Sequence, residues 1–182
     1  MEDIYEYPLK QHLGEQVVPV VVDGDSVNRG QLVAFQRENT LGANLYSSVK
    51  GVVTKVTEQS IFIKAVGEQT ADYAPLKGSE PLELIREAGL VGLGGAGFPT
   101  YAKLSKPFEP GGTVIINAAE CEPILSHNIE RIRQKPEQLL RGLRIAMDVV
   151  HATKGVIAIK EKHTEAVKAL KEANQDPDIS LT

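Results

Sequence analysis

The stretch GLVGLGGAGFPTYAKL, residues 89–104, is the part of this 182-residue chain around which the rest is organised. Its six central residues include four glycines: Gly92, Gly94, Gly95 and Gly97. A loop without side chains lets backbone N–H groups come close to a phosphate or a flat ring. Pro99 favours a helical φ, so we expect a helix to start there, and its N-terminus would attract an anion. With Lys103 one turn further on, the stretch predicts a cradle for a nucleotide or flavin phosphate.

Composition narrows the class of protein. The chain is 42% hydrophobic and 24% charged, which is ordinary for a globular protein. No apolar run approaches the roughly 20 residues of a membrane-spanning helix, and the acidic, polar N-terminus does not resemble a secretory signal. We therefore expect a cytoplasmic protein with no direct membrane insertion. A net charge of −4 and no tryptophan also argue against nucleic acid as a partner.

The cysteine and histidine content argues against a metal centre held by this chain. One cysteine, Cys121, excludes an internal disulfide and an iron–sulfur cluster ligated by this chain alone. The four histidines have no metal-ligand spacing. We predict no metal ligands and no catalytic acid or base.

Residues 1–66 predict a small β barrel or sandwich. The β-branched run 16–22 and the run 31–35 are separated by turn signals, and Pro19 indicates an edge strand. Runs 48–56 and 60–66 alternate as a hairpin, with 57–59 as the connection.

The phrase GDSVNRGQLVAF, residues 24–35, resembles the turn and strand of lipoyl and biotinyl carrier domains. Carriers display a modified lysine on an exposed hairpin, whereas Lys50 lies inside a strand-like run. The resemblance implies the carrier architecture without its chemistry, in a packing or docking role.

The remainder predicts a linker over 67–80 and an α/β domain over 81–182. The expected elements are a helix over 82–88 capped by Ser79 and stopped by Gly89, a buried strand over 113–119, a helix over 136–152, a buried strand over 155–160 and a helix over 164–173. This alternation indicates a parallel sheet. We expect a further strand after Thr182, and hence a fragment of a longer protein. The fold class is α/β, or α+β overall.

A second constellation, NAAECEP at 117–123, falls where the 113–119 strand is expected to end. It combines the Asn117 amide with the carboxylates of Glu120 and Glu122. Ligands of open α/β sheets bind at strand ends, and these groups suit the hydroxyls and ring edge of a flavin or nucleotide. With the glycine loop they would form a two-sided site.

Simpler interpretations stay open for each motif. Residues 92–97 match GxGxxG, but a helical segment precedes them where a Rossmann turn needs a strand, and the glycines can serve packing alone. The acidic loop can be merely solvated. Cys121 is best interpreted as a small buried residue, and the basic run 131–135 as a solvated helix face.

The two motifs, in this order and spacing, resemble the flavin domain of the complex I 51 kDa subunit and, more closely, the RnfC family. YPLKQHLGE (7–15), GDSVNRGQLVA and SSVKGVV are similar to the domain that precedes the flavin domain in RnfC proteins. The resemblance implies a barrel-sandwich domain followed by a partial FMN- and NADH-binding domain. The type associated with proline reductase is an alternative to Rnf itself.

The resemblance also implies cofactors, partners and residue roles. Hydride would pass from NADH to FMN, and electrons onward to [4Fe-4S] clusters in the full-length protein. Partners would be NADH and the other subunits of a membrane complex or a soluble reductase, with the protein cytoplasmic or peripheral on the membrane through those subunits. The carried-over contacts are Gly92 and Gly94 with the flavin, Lys103 with phosphate, Gly95, Ala96, Gly97 and Phe98 with the nicotinamide nucleotide, and Asn117, Glu120 and Glu122 with the pocket.

Two departures from the family pattern accompany this resemblance. Ala119 stands where the complex I subunit has an acid, and the later domains of the family are not found before Thr182. The alternative function is therefore a scaffold or docking module of an electron-transfer complex that keeps the fold without the cofactor.

Overall fold

A computed structural model describes residues 3–93, 95–107, 111–120 and 124–182. The chain forms two compact units, Met1–Lys103 and Leu104–Thr182. The first is mainly antiparallel β structure, and the second is a parallel sheet with helices. The predicted mixed class is confirmed.

The first unit contains two antiparallel sheets. Its strands among the described residues are β1 (Ile4–Pro8), β2 (Val18–Pro19), β3 (Ser26–Val27), β4 (Leu32–Phe35), β5 (Leu45–Tyr46), β6 (Gly51–Val56) and β7 (Ser60–Ala65). One sheet has the order β1-β7-β6-β3 and the other β2-β4-β5. Inward-facing residues of both sheets form one core that includes Val33, Val53, Ile61 and Ile63.

The predicted hairpin is β6 and β7. The two strands pair antiparallel with Val53 opposite Ile63, and residues 57–59 connect them as expected. A register shift between Val53 and Lys55 bends the pair, as bulges do.

The predicted strand over 16–22 is much shorter than expected. Only Val18 and Pro19 pair with β4, at the edge of the three-stranded sheet. Pro19 has no N–H to donate, so it removes a bond from the ladder, although Val20 N–H beyond it still donates to the Val33 carbonyl at 2.9 Å. Its predicted edge position is confirmed.

Residues 67–80 contain no regular helix or strand, but they are bound to the β domain. The Gln69 side chain bonds the backbone of Lys50 on both sides, at 2.8 Å and 2.9 Å. The Arg29 guanidinium donates to the Thr70 carbonyl at 3.0 Å. The segment is therefore anchored rather than free.

Helix α1 (Pro81–Glu87) starts with proline, and Gly89 follows its C-cap residue, Ala88. The cap residue is Glu80, with no side-chain cap bond, so the predicted Ser79 cap is wrong. Gly89 has φ 63°, and its N–H and that of Leu90 donate to the carbonyls of Arg86 and Ile85. This is the glycine stop expected from the sequence.

Helix α2 (Thr100–Leu104) is only five residues long and crosses the boundary between the units. The predicted start at Pro99 is wrong by one position, because Pro99 pairs with Val91 in an antiparallel bridge. The Pro99 carbonyl accepts a hydrogen bond from Lys103 N–H, as the residue before the first helical turn does.

The second unit alternates strands and helices. Its elements are β8 (Thr113–Asn117), α3 (His127–Gln134), α4 (Pro136–Val150), β9 (Lys154–Ala158), α5 (Thr164–Ala173) and β10 (Ile179–Leu181). The strands are parallel in the order β10-β9-β8. The further strand expected after Thr182 therefore begins earlier, at Ile179, where Ile179 pairs with Gly155.

The core of this unit lies between the helices and the sheet. Leu143 and Met147 of α4, Ile157 of β9 and Leu170 of α5 are almost fully buried. The predicted helical spacing from Pro136 is confirmed, although α4 ends at Val150 because His151 takes a left-handed conformation.

Strand β8 is not the fully buried strand that its apolar run predicts. It lies at the edge of the sheet, and Ile115 is 65% exposed. Val114 and Ile116 pack against the core on the other face. An apolar run does not distinguish a strand buried on both faces from one covered on a single face.

Candidate cofactor-binding sites

The glycine loop lies between α1 and α2 and is closed at its base. Gly92 N–H donates to the Phe98 carbonyl at 3.0 Å, and Thr100 N–H to the Leu90 carbonyl at 2.9 Å. With the antiparallel bridge between Val91 and Pro99, these bonds hold the two ends of the loop together.

Gly97 is required by the fold itself. It has φ 63°, and a Cβ there would lie 3.0 Å from both the Gln11 carbonyl oxygen and His12 Cα. Its own carbonyl accepts from Leu13 N–H at 3.2 Å. Gly97 thus lies directly against the segment that follows β1.

Gly92 and Gly95 are not required in that way. Gly92 has no positive φ and the nearest described atoms to a Cβ there are 3.9 Å away, while no described atom lies within 4 Å of a Gly95 Cβ. Both line a cavity of about 310 Å³ with His12 and Asn44. Packing among the described residues does not explain why these two positions lack side chains, whereas a flat ligand lying against the backbone would.

The other predicted loop residues are on the surface or partly buried. Ala96 is exposed and Phe98 is half-buried. The exposed Lys103 places its Nζ 6.0 Å from the centre of the Phe98 ring. Leu93, which the sequence analysis does not single out, is 92% exposed. Gly94 lies outside the described residues.

His12 lies against Gly97 of the loop. It is 7% exposed, and its Nε2 accepts from Ala43 N–H at 3.2 Å while its Nδ1 lies 3.2 Å from the Leu13 carbonyl. The first bond makes Nε2 the acceptor, so the neutral ring carries its proton on Nδ1. Sequence reasoning assigns His12 no role, because its partners come from residue 43 and from the loop.

In the second unit, polar side chains gather where β8 ends, as predicted. Asn117 Oδ1 accepts from Ala119 N–H at 3.1 Å. The Glu120 carboxylate accepts from Asn128 Nδ2 at 3.0 Å, and the Glu120 carbonyl accepts from Lys160 Nζ at 2.7 Å. These bonds hold the chain in place beyond the strand.

The strand end opens into a cavity of about 380 Å³, within the range of small-molecule sites. Asn117 and Glu120 line it, as do residues that the sequence analysis does not select: Asn128, Arg131, Lys135 and Gln138. Asn128, Arg131 and Lys135 are spaced by three and four residues, which places them on one face of the helical turn. This spacing is the signal in the sequence by which these three residues could have been grouped.

The polar residues of α3 fall into two sets. Glu130 binds Arg133 in a salt bridge at 2.5 Å and accepts from Gln134, also at 2.5 Å. The hydrogen bond from Arg133, then that from Gln134, lowers the pKa of Glu130 to about 2. Arg131 and Lys135 have no ion-pair partner among the described residues.

The predicted site residues divide between the two units. Gly92, Gly95 and Lys103 belong to the first, and Asn117 and Glu120 to the second. Glu122 and Cys121 lie outside the described residues. The roles assigned to all of these residues, and the two-sided site, stay predictions.

Two family matches agree with this succession of folds. The RnfC barrel-sandwich hybrid domain matches residues 1–70, and the Nuo51 FMN-binding domain matches residues 85–181. The class is thus a barrel-sandwich domain joined to an FMN-binding-type α/β domain. The chain belongs to the RnfC family.

Similar curated proteins are named as subunits of redox complexes. One, from the proton-translocating ferredoxin:NAD(+) oxidoreductase complex of Clostridium ljungdahlii, is 33% identical over 96% of this chain and 42% of its own length. Another, from the Na(+)-translocating ferredoxin:NAD(+) oxidoreductase complex of Acetobacterium woodii, is 33% identical over 91% and 41%. A third, from the ion-translocating oxidoreductase complex of Serratia proteamaculans, is 32% identical over 100% and 28%.

This chain therefore spans less than half the length of these relatives. Their names give the proline reductase alternative no support. Within the described ranges, no helix is long and apolar enough to cross a membrane.

Proposed function

We propose that this chain is the FMN- and NADH-binding part of an NADH-dependent electron-transfer subunit of the RnfC type. Its domains would be residues 1–66, a linker over 67–80, and the flavin domain over 81–182. Partners would be NADH and the other subunits of an ion-translocating redox complex, which would hold the protein at the cytoplasmic face of the membrane. The [4Fe-4S] clusters would belong to the full-length protein.

The observation that carries the proposal is the pair of open glycines, Gly92 and Gly95. They lie inside the segment matched by the Nuo51 FMN-binding domain and line a cavity, and the described residues leave room for a side chain at both positions. A backbone surface of this kind permits close approach of a planar ring. The donor chemistry also fits, because loop N–H groups and Lys103 can meet an anionic ligand.

FMN, when bound, accepts hydride from NADH and releases single electrons. The chain itself would bind and orient. Gly92 and Gly95 would leave the ring access to the backbone, Lys103 would meet the negative charge of the ligand, and His12 would hold Gly97 and its neighbours in position. Asn117 and Glu120 offer an amide and a carboxylate to ligand hydroxyls.

Titration with FMN, followed by flavin fluorescence, tests the proposal with a matched pair of variants. Gly95→Val places a side chain on the proposed contact surface. Gly142→Val makes the same change on the exposed side of α4, where no described atom lies within 4 Å either. We expect saturable FMN binding that Gly95→Val weakens roughly tenfold or more, as loss of close ring packing would, and that Gly142→Val leaves unchanged.

NADH is then added to the FMN-loaded protein, with bleaching of the flavin as the expected result. Lys103→Ala, an exposed substitution, should weaken binding of FMN more than that of riboflavin if Lys103 meets the phosphate. Equal FMN affinity in Gly95→Val and Gly142→Val would contradict the proposal. It would favour the docking-module alternative, in which the glycines serve only the fold.

A further inference from the structure

The cavity at the end of β8 contains more positive charge than a site made only for hydroxyl groups requires. Among the residues that the structure describes, the charged members of its lining are two cations, Arg131 and Lys135, and one carboxylate, Glu120. The whole chain has a net charge of −4. The described lining of the cavity thus carries a net positive charge, although the chain as a whole is acidic.

The side-chain hydrogen bonds and the ion pair that the structure describes on helix α3 do not use these two cations, so both can interact with a ligand. On its other side, Glu130, Arg133 and Gln134 satisfy one another. Arg131 and Lys135 take no part in that network, and both are exposed. A charge that only solubilised the helix would not need to face a cavity.

The Glu120 carboxylate, the one that the described part of the lining contains, does not pair with these two cations. Glu120 Oε2 accepts from the Asn128 amide at 3.0 Å, and Lys160 holds the Glu120 carbonyl. Glu120 is therefore fixed by uncharged and backbone contacts. Among the residues that the structure describes, it forms no salt bridge with either cation.

We propose that Arg131 and Lys135 form a phosphate-binding subsite in this cavity. It would take the phosphate end of a phosphorylated polyol or ribose, with Glu120 and Asn117 accepting from its hydroxyls. This rests on the proposed function in so far as FMN and NADH are the two natural sources of that group. An arginine with several donors, supported by a lysine, is well suited to a phosphate.

The cavity volume limits how much of a ligand it can hold. About 380 Å³ is near the lower end of the range for small-molecule sites. The apolar part of the lining, Ile132 and Leu139 with Ile116, offers a surface for a ring or carbon chain. The site therefore suits one phosphorylated moiety rather than a complete dinucleotide.

The test compares phosphorylated ligands with their dephosphorylated partners on the 182-residue chain. Calorimetric titrations use FMN against riboflavin and AMP against adenosine. The variant is Arg131→Gln with Lys135→Gln, and the matched control is Arg141→Gln with Lys168→Gln, which removes the same charge from positions outside the cavity. Circular dichroism checks that both double variants fold.

The variant should lose roughly tenfold or more in affinity for one phosphorylated ligand, since charge-assisted bonds to phosphate are strong. Binding of the dephosphorylated partner should not change. Loss confined to FMN assigns the subsite to the flavin phosphate, and loss confined to AMP assigns it to the nucleotide. In either case, amide shifts on binding should fall at 117–120 and 128–135.

An equal loss in both double variants, or no loss in either, overturns the subsite. These results are distinct from failure of the proposed function. FMN binding that depends on Gly95 but not on Arg131 and Lys135 rejects the subsite alone. AMP binding that depends on the two cations, without FMN binding, rejects the flavin assignment alone.

Discussion

In the glycine loop of the first unit the backbone itself forms the candidate surface, because the described residues leave room for a side chain at Gly92 and Gly95. At the strand end of the second unit the surface consists of side chains held by one another, such as Glu120 by Asn128. The two regions should therefore respond differently to substitution. In the loop, the effect of a substitution depends on the backbone conformation and surroundings of the glycine that is replaced. At the strand end, it depends on whether the side chain that is replaced has a hydrogen-bond partner.

The largest effect is expected from Gly89→Ala, compared with Gly95→Ala. Gly89 has φ 63°, and a Cβ there would lie 2.2 Å from the Asn44 carbonyl oxygen. Strain and displacement of that backbone should lower the free energy of unfolding by about 2–4 kcal/mol. Gly95→Ala should change it by less than about 0.5 kcal/mol, as at other open surface positions.

Denaturant unfolding followed by tyrosine fluorescence measures both variants, since the chain has five tyrosines and no tryptophan. If the two variants lost equal stability, the division of the glycines into structural and open positions would be wrong.

An intermediate effect is expected from His12→Ala. The substitution leaves Ala43 N–H without its acceptor in a buried place and removes packing behind Gly97. The loss of a buried hydrogen-bond partner should lower the free energy of unfolding by about 1–3 kcal/mol. Gln16→Ala is the control, because Gln16 is exposed, lies outside the cavity lining and bonds only the Glu58 carbonyl through its side chain within the described part of the chain.

FMN affinity should fall with His12→Ala and not with Gln16→Ala if the histidine positions the loop. Loss of stability without any loss of affinity would show that the loop keeps its form without this support.

Much of the fold follows from local sequence. The β6–β7 hairpin, the start of α4 at Pro136 and the glycine stop at Gly89 rest on turn and cap chemistry within a few residues, so they could be predicted. The short β2 and the exposed Ile115 could not. Their environment depends on which strand lies beside them, which local patterns do not encode.

The sites divide in the same way. Asn117 and Glu120 can be found from the sequence because they follow a recognisable strand. From the local sequence, Arg131 and Lys135 are interpreted as part of a solvated helix face. Only the packing of α3 beside the strand end brings them to the cavity. Likewise, the sequence alone does not distinguish Gly95, which is open, from Gly97, which is close to residues 11 and 12.

The smallest effect is expected from acid titration of the paired side of α3. Arg133 and Gln134 lower the pKa of Glu130 from 4.5 to about 2 in the folded chain. Because the folded pKa is lowered, this stabilisation is present above pH 4.5 and is lost as the pH falls toward 2. It is small, since the pair is exposed. Carboxyl NMR of Glu130 against pH measures it directly.

Arg133→Gln should raise the Glu130 pKa toward 4.5, whereas Arg131→Gln, on the cavity side of the same helix, should leave it unchanged. A Glu130 pKa that moved as far with Arg131→Gln would mean that the two cations are not separated by the helix. The phosphate subsite depends on α3 having one side where Glu130 and Arg133 pair with each other and another side where Arg131 and Lys135 face the cavity. That division would then fail.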